Sequence, residues 1–167
     1  MGLRFNADEV FAMAERIEEN GAAFYRRAAE LQRKTSPENV ALLTRLAEME
    51  AQHMSVFALM RAEAASRMKP EEAFDPYVEA ALYLQGAADS HGGEGTPRAA
   101  DSLTGRETMP EILRLAIGLE EKSVVFYLGM RDMVPPDLGK DRIDRIIGEE
   151  KGHIVALAGV LRRLAGG

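Results

Sequence analysis

Apolar residues recur at helical spacing along four stretches of the chain. The first follows Asn6 and Glu9, a capping pattern, and predicts a helix over 7–33. Ser36-Pro37, with Pro at the first helical position, opens a second helix over 37–68, which stops before Lys69-Pro70. Thr108, with Pro110 in the first turn, opens a third over 109–133. Val134-Pro135-Pro136 breaks it, and a fourth is expected over 138–165, ending at Gly166-Gly167. Between helices two and three the pattern fails. The stretch 69–108 holds Pro70, Pro76, Pro97 and Gly residues 86, 92, 93, 95 and 105. Within it a short helix is expected at 77–87, and 90–105 reads as mobile loop. The glycines do not form a phosphate loop, because no strand precedes them and no Gly-Lys-Ser/Thr follows.

The chain repeats itself. Residues 14–30 (AERIEENGAAFYRRAAE) resemble 116–132 (AIGLEEKSVVFYLGMRD), and 45–58 resemble 145–158. Each half is a helical hairpin. Two similar hairpins joined by a long connector predict an all-α four-helix bundle with a crossover between helices two and three.

The seams of these helices are wrong for a plain bundle. Helix one offers Phe11, Ala14, Glu18, Gly21, Tyr25 and Ala28; helix two Leu43, Leu46, Glu50, His53, Phe57 and Met60. Helix three offers Leu113, Ala116, Glu120, Val124 and Tyr127; helix four Ile143, Ile146, Glu150, His153, Leu157 and Val160. One carboxylate interrupts each apolar stripe near mid-helix, and two histidines join them. An isolated ionised carboxylate in an apolar interior costs several kcal/mol, and four together repel one another. Two divalent cations bring about +4 against about −4 and close the balance. Glu and His at i and i+3 share one helical face and can converge on one ion. The candidate ligands are therefore Glu18, Glu50, His53, Glu120, Glu150 and His153. Glu is 19 of 167 residues, so two of three His preceded by Glu at i−3 arises by chance at about 0.04. Tyr25 and Tyr127, each seven residues after a seam Glu, lower that to about 0.003 and are candidates for hydrogen bonds to the ligands. A buried aromatic with its hydroxyl otherwise satisfied is the equal alternative for both. Glu19, Glu121 and Glu149 each adjoin a seam Glu but point about 100° away, so a solvated position is expected. His91 is expected on an exposed loop, and the nine Met in packing.

Composition removes other chemistries. Cysteine is absent, so no disulfide, zinc-thiolate site, thiol nucleophile or iron–sulfur cluster can form. The net charge of −6 argues against a nucleic-acid or anionic-membrane surface. No apolar run approaches the ~20 residues of a membrane span, and residues 1–6 lack the apolar core of a signal peptide. A single domain over 1–167 and a cytoplasmic location are expected.

The segments EENGAAFYRRAAE (18–30), EAQH (50–53), EEKSVVFY (120–127) and EKGH (150–153) resemble the rubrerythrin-type branch of the ferritin-like superfamily. The resemblance covers all four helices but not the connector. It implies a ferritin-like bundle holding two iron ions, with manganese or zinc as alternative occupants, that reacts with hydrogen peroxide or dioxygen. It makes the same six residues the ligands, with Glu50 and Glu150 bridging, and implies a homodimer, for which Leu42 and Val125 offer apolar positions off the seam. Rubrerythrins usually carry a rubredoxin domain with a four-cysteine iron; this chain has no cysteine, so the resemblance implies an external electron-donor protein. Ser123 stands where the best-known members have a second Glu. Bacterioferritin is similar at the six ligands and at GEEKGHI, but Ala51 replaces its haem-binding Met. A non-catalytic metal-binding, storage or detoxification protein is the alternative reading, and a metal-free helical interaction module is the third.

Overall fold

The computed structural model describes residues 6–68, 82–84, 86–88 and 98–166. Four long helices carry the chain: α1 (Ala7–Gln32), α2 (Pro37–Arg67), α3 (Met109–Met133) and α4 (Lys140–Ala165). Local chemistry starts each one. Asn6 Oδ1 accepts from Glu9 N, and Glu9 Oε2 accepts from Asn6 N, both at 2.9 Å. Ser36 Oγ accepts from Asn39 N at 3.4 Å ahead of Pro37. Glu111 Oε2 accepts from Thr108 N at 2.7 Å and from Thr108 Oγ1 at 2.8 Å. Each such cap satisfies backbone donors that the first helical turn leaves open.

The start of α4 differs from the expected residue 138. Pro136–Leu138 forms a 3-10 turn closed by Leu138 N donating to Pro135 O at 3.0 Å. Gly139 then takes φ +94, a left-handed backbone open to glycine at little cost, and redirects the chain into α4 at Lys140. The connector also differs in part. Of the stretch read as loop, 98–105 contains a 3-10 turn at Ala99–Ser102 and the buried Leu103. Of the short helix expected at 77–87, residues 82–84 and 86–87 are helical, as is 88. The rest of that helix, and His91, lie outside the described residues.

Two apolar clusters fill the interior. One contains Val10, Phe11, Phe57, Met60, Met130 and Ile143; the other contains Phe24, Ala28, Leu43, Leu46, Ile112 and Leu113. Burying each large side chain is worth about 1.5–3 kcal/mol. Cluster membership fixes the helix directions. α1 and α4 begin in the first cluster and run to the second; α2 and α3 run the other way. Two consecutive parallel helices require a connection along the bundle. The connector makes it: Leu84 packs in the first cluster and Leu103 in the second. Tyr83 holds the crossing to α3 by donating from its hydroxyl to Val125 O at 2.8 Å.

Seam residues are buried as their spacing predicts, with Gly21, Val124 and Val160 partly so. Surface ion pairs join neighbouring helices, Arg61 of α2 reaching Asp8 of α1 at 2.5 Å and Arg142 of α4 meeting Glu63 of α2. Such pairs contribute little each and mainly favour one register. Among the described residues no helix is long and apolar enough to cross a membrane.

Candidate metal centre

Every helix passes from one apolar cluster to the other through a polar layer at mid-length. Glu18 comes from α1, Glu50 and His53 from α2, Glu120 from α3, and Glu150 and His153 from α4; all six are buried. Their ligand atoms form two overlapping groups. Glu18, Glu50, His53 and Glu150 make one; Glu50, Glu120, Glu150 and His153 make the other. Within each group the atoms lie within 4.8 Å of one another. Glu50 and Glu150 belong to both.

The inner nitrogens face these groups. His53 Nδ1 lies 2.8 Å from Glu150 Oε1 and 3.4 Å from Glu18 Oε2. His153 Nδ1 lies 3.3 Å from Glu150 Oε2 and 3.4 Å from both Glu50 Oε1 and Glu120 Oε1. Despite these distances, no aligned hydrogen bond among the described residues reaches Glu18 Oε2, Glu50 Oε1, either oxygen of Glu150, or either Nδ1. Buried polar atoms are normally paired, and leaving one unpaired costs about 1–3 kcal/mol. Here the unpaired atoms gather in two groups rather than scattering through the core. Ligand bonds near 2.0–2.2 Å place atoms around one ion up to about 4.4 Å apart, close to the 4.8 Å within which each group falls. Carboxylates and imidazoles suit iron, manganese and zinc alike, so the donor set fits a divalent transition metal.

The outer atoms of the layer are held. Tyr25 of α1 donates its hydroxyl hydrogen to Glu120 Oε1, and Tyr127 of α3 donates to Glu18 Oε1. Each tyrosine therefore serves the Glu of the opposite hairpin, not the one two turns before it. His53 Nε2 lies 2.8 Å from Glu149 Oε2. This corrects the expectation that Glu149 is simply solvated. Its side chain is 41% exposed, yet one oxygen reaches across from α4 to the back of the α2 imidazole. Glu19 and Glu121 are exposed, as their helical angle predicts.

Gly21 makes room for the shared carboxylate, since a Cβ there would sit 2.5 Å from Glu50 Oε2. Ser123 occupies the corresponding place in the second hairpin, and its hydroxyl turns back to Leu119 O at 3.2 Å. Gly21 and Ser123, with Glu50, Glu120 and the connector's Ala99, line a small cleft beside the layer.

Electrostatics follow from burial. Burial pushes the Glu18 and Glu50 carboxyls up, the charge of Glu18 adding to the effect at Glu50. Glu120 rises to about 8, again chiefly through burial. Burial opposes charge on the imidazoles, but the carboxylates around them outweigh it. His53 rises to about 11 beside Glu150 and Glu18, and His153 to about 12 beside Glu120, Glu150 and Glu50. Glu150 faces the same burial, but its close polar neighbours Glu120, His153 and His53 hold its carboxyl below the ordinary range. Both tyrosine hydroxyls are pushed well up by burial and by the carboxylate charges, which keeps them protonated donors. Without metal, protons do the neutralising.

A solved structure shares this architecture. It is that of a candidate ferritin-like diiron-carboxylate protein from Thermotoga maritima, superposing with a TM-score of 0.71 over 97% of this chain and 98% of that one, at 22% identity. The fold is ferritin-like. No protein family profile and no curated protein matches the sequence.

Proposed function

We propose that the ferritin-like bundle is a rubrerythrin-type redox enzyme whose six buried ligands hold two iron ions and whose oxidant is hydrogen peroxide or dioxygen. The observation carrying this reading is the pair of overlapping four-residue groups sharing Glu50 and Glu150, with their inward atoms unpaired. The diiron-carboxylate character attributed to the Thermotoga maritima neighbour supports iron over other divalent ions. Iron held there would supply the electron pair that, with two protons, converts one peroxide to two waters, each of two Fe(II) being oxidised to Fe(III).

The chain's own residues supply the surroundings. Glu18 and His53 would hold one ion and Glu120 and His153 the other, with Glu50 and Glu150 within reach of both. Tyr25 and Tyr127 hold the terminal carboxylates in place. Ala14, Ala116, Leu46 and Ile146 wall the layer on both sides and exclude bulk water. The small cleft that Gly21 and Ser123 line also touches Glu50 and Glu120, and in this proposal it is where a small oxidant would approach. Electrons for a second turnover come, in this proposal, from a donor protein. A homodimer is part of the same proposal, with Val125 among its exposed apolar positions.

The test is anaerobic loading with Fe(II) followed by peroxide. The proposal expects oxidation of two Fe(II) per peroxide and a ferric absorbance. Tight Fe(II) binding with no oxidation would leave a metal-binding or storage protein and overturn the redox claim.

A further inference from the structure

The two halves of the layer are not equivalent behind their histidines. With Nδ1 given to a metal, each imidazole would carry its hydrogen on Nε2. His53 Nε2 would donate that hydrogen to Glu149 Oε2 at 2.8 Å. His153 Nε2 is equally buried and has no hydrogen-bond partner among the described residues. The repeat explains the difference. Residue 149 corresponds to 49 at the same offset that relates Glu150 to Glu50 and His153 to His53, and residue 49 is Met. Both positions are partly buried, so only the chemistry differs. Glu149 also lies 3.9 Å from Arg145 Nε, which steadies it without displacing it from the imidazole.

We infer that the two metal positions differ in affinity, and that Glu149 is a positioning residue making the Glu18/His53 position the tighter and first filled. The inference rests on the two-metal reading above. A carboxylate behind a ligating imidazole fixes its ring and tautomer and makes its inner nitrogen a stronger donor; losing such a partner typically costs about 10–100-fold in metal affinity. His153, with no such partner among the described residues, binds more weakly. Metal therefore enters stepwise, and a state with one ion, at the Glu18/His53 position, is populated at sub-stoichiometric supply.

The test is anaerobic titration of the metal-free full chain with Co(II), followed by visible absorbance and calorimetry. Two steps are expected, the first at least about 10-fold tighter. E18Q should remove the tight step and E120Q the weak one. E149Q should weaken the tight step by about 10-fold or more, alter the Co(II) spectrum of that step, and leave the weak step in place. E121Q, the same charge change beside Glu120 on an exposed side chain, should leave both steps as they are. Equal steps in the unmodified protein, an unshifted tight step in E149Q, or an equal shift in E121Q would overturn the inference while leaving the two-metal reading intact. No Co(II) binding at all would overturn both.

Discussion

Tyr127 on α3 donates its hydroxyl hydrogen to Glu18 on α1, and Tyr25 on α1 returns the arrangement to Glu120 on α3. The two hairpins are thus cross-braced at the polar layer, each supplying a hydrogen-bond donor to the other's Glu. A disturbance in one hairpin reaches the ligand of the other. Tyr127→Phe leaves Glu18 Oε1 without its donor and should lower stability by about 1–3 kcal/mol, measured by urea denaturation. It should also weaken metal binding at the Glu18 position, while Tyr25→Phe weakens it at the Glu120 position. If both variants weaken the same position, the crossed pairing is wrong.

Membership of Glu50 and Glu150 in both groups has a stoichiometric consequence for the proposed two-metal site. Glu18→Gln removes a group from one cluster only and should leave about one metal ion per chain. Glu150→Gln strikes both clusters and should leave about none at the same metal supply. Metal content by mass spectrometry separates the two. Equal losses would mean that Glu150 is not shared.

Gly21 and Gly148 make an opposed pair. Glycine inside a helix costs about 0.5–1 kcal/mol relative to alanine, so Gly148→Ala, with nothing within 4 Å of the added Cβ, should stabilise by about that amount. At Gly21 the same change meets Glu50 Oε2 and should destabilise the metal-loaded protein and lower metal affinity. Thermal melts of the two variants should move in opposite directions. A stabilised Gly21→Ala with full metal content would show that Glu50 has other room.

The metal-free protein should lose stability as pH rises. Glu120 titrates near 8 in the fold against 4.5 ordinarily. Its proton supports the fold fully below 4.5, and that support is lost as pH climbs through 8. His53 and His153 act in the same direction over a higher window, from 6.5 to about 11 and about 12. The melting temperature of the metal-free form should therefore fall between pH 6 and pH 9, and metal should abolish most of that fall. Loading at pH 7 should release protons into a weakly buffered solution. A flat pH profile for the metal-free form would contradict the protonated layer.

Much of this centre was legible in the chain, and the limits have physical causes. Glu50, His53, Glu150 and His153 announce themselves because i and i+3 share a helical face. Glu18 and Glu120 do so because each interrupts an apolar stripe, once per hairpin. The partners of Tyr25 and Tyr127 were not legible, since sequence spacing measures distance along one helix and these bonds cross between two. Glu149 was misread for a related reason. Its angle on α4 points away from the seam, but the neighbouring α2 brings His53 within reach of a long side chain. The available clue was the break in the repeat, Glu149 against Met49. The start of α4 slipped by two residues because Pro135, Pro136 and Gly139 make a turn that hydrophobic spacing does not register. Leu103 was hidden in a stretch whose Gly and Pro content reads as loop.

The central claim is that these carboxylates and imidazoles lie buried in order to hold two metal ions. Anomalous diffraction at the iron edge from crystals of the iron-loaded protein tests it most directly. Two peaks are predicted, one between Glu18 and His53 and one between Glu120 and His153, with Glu50 and Glu150 touching both. An iron-loaded crystal showing no anomalous density among these six side chains would contradict it.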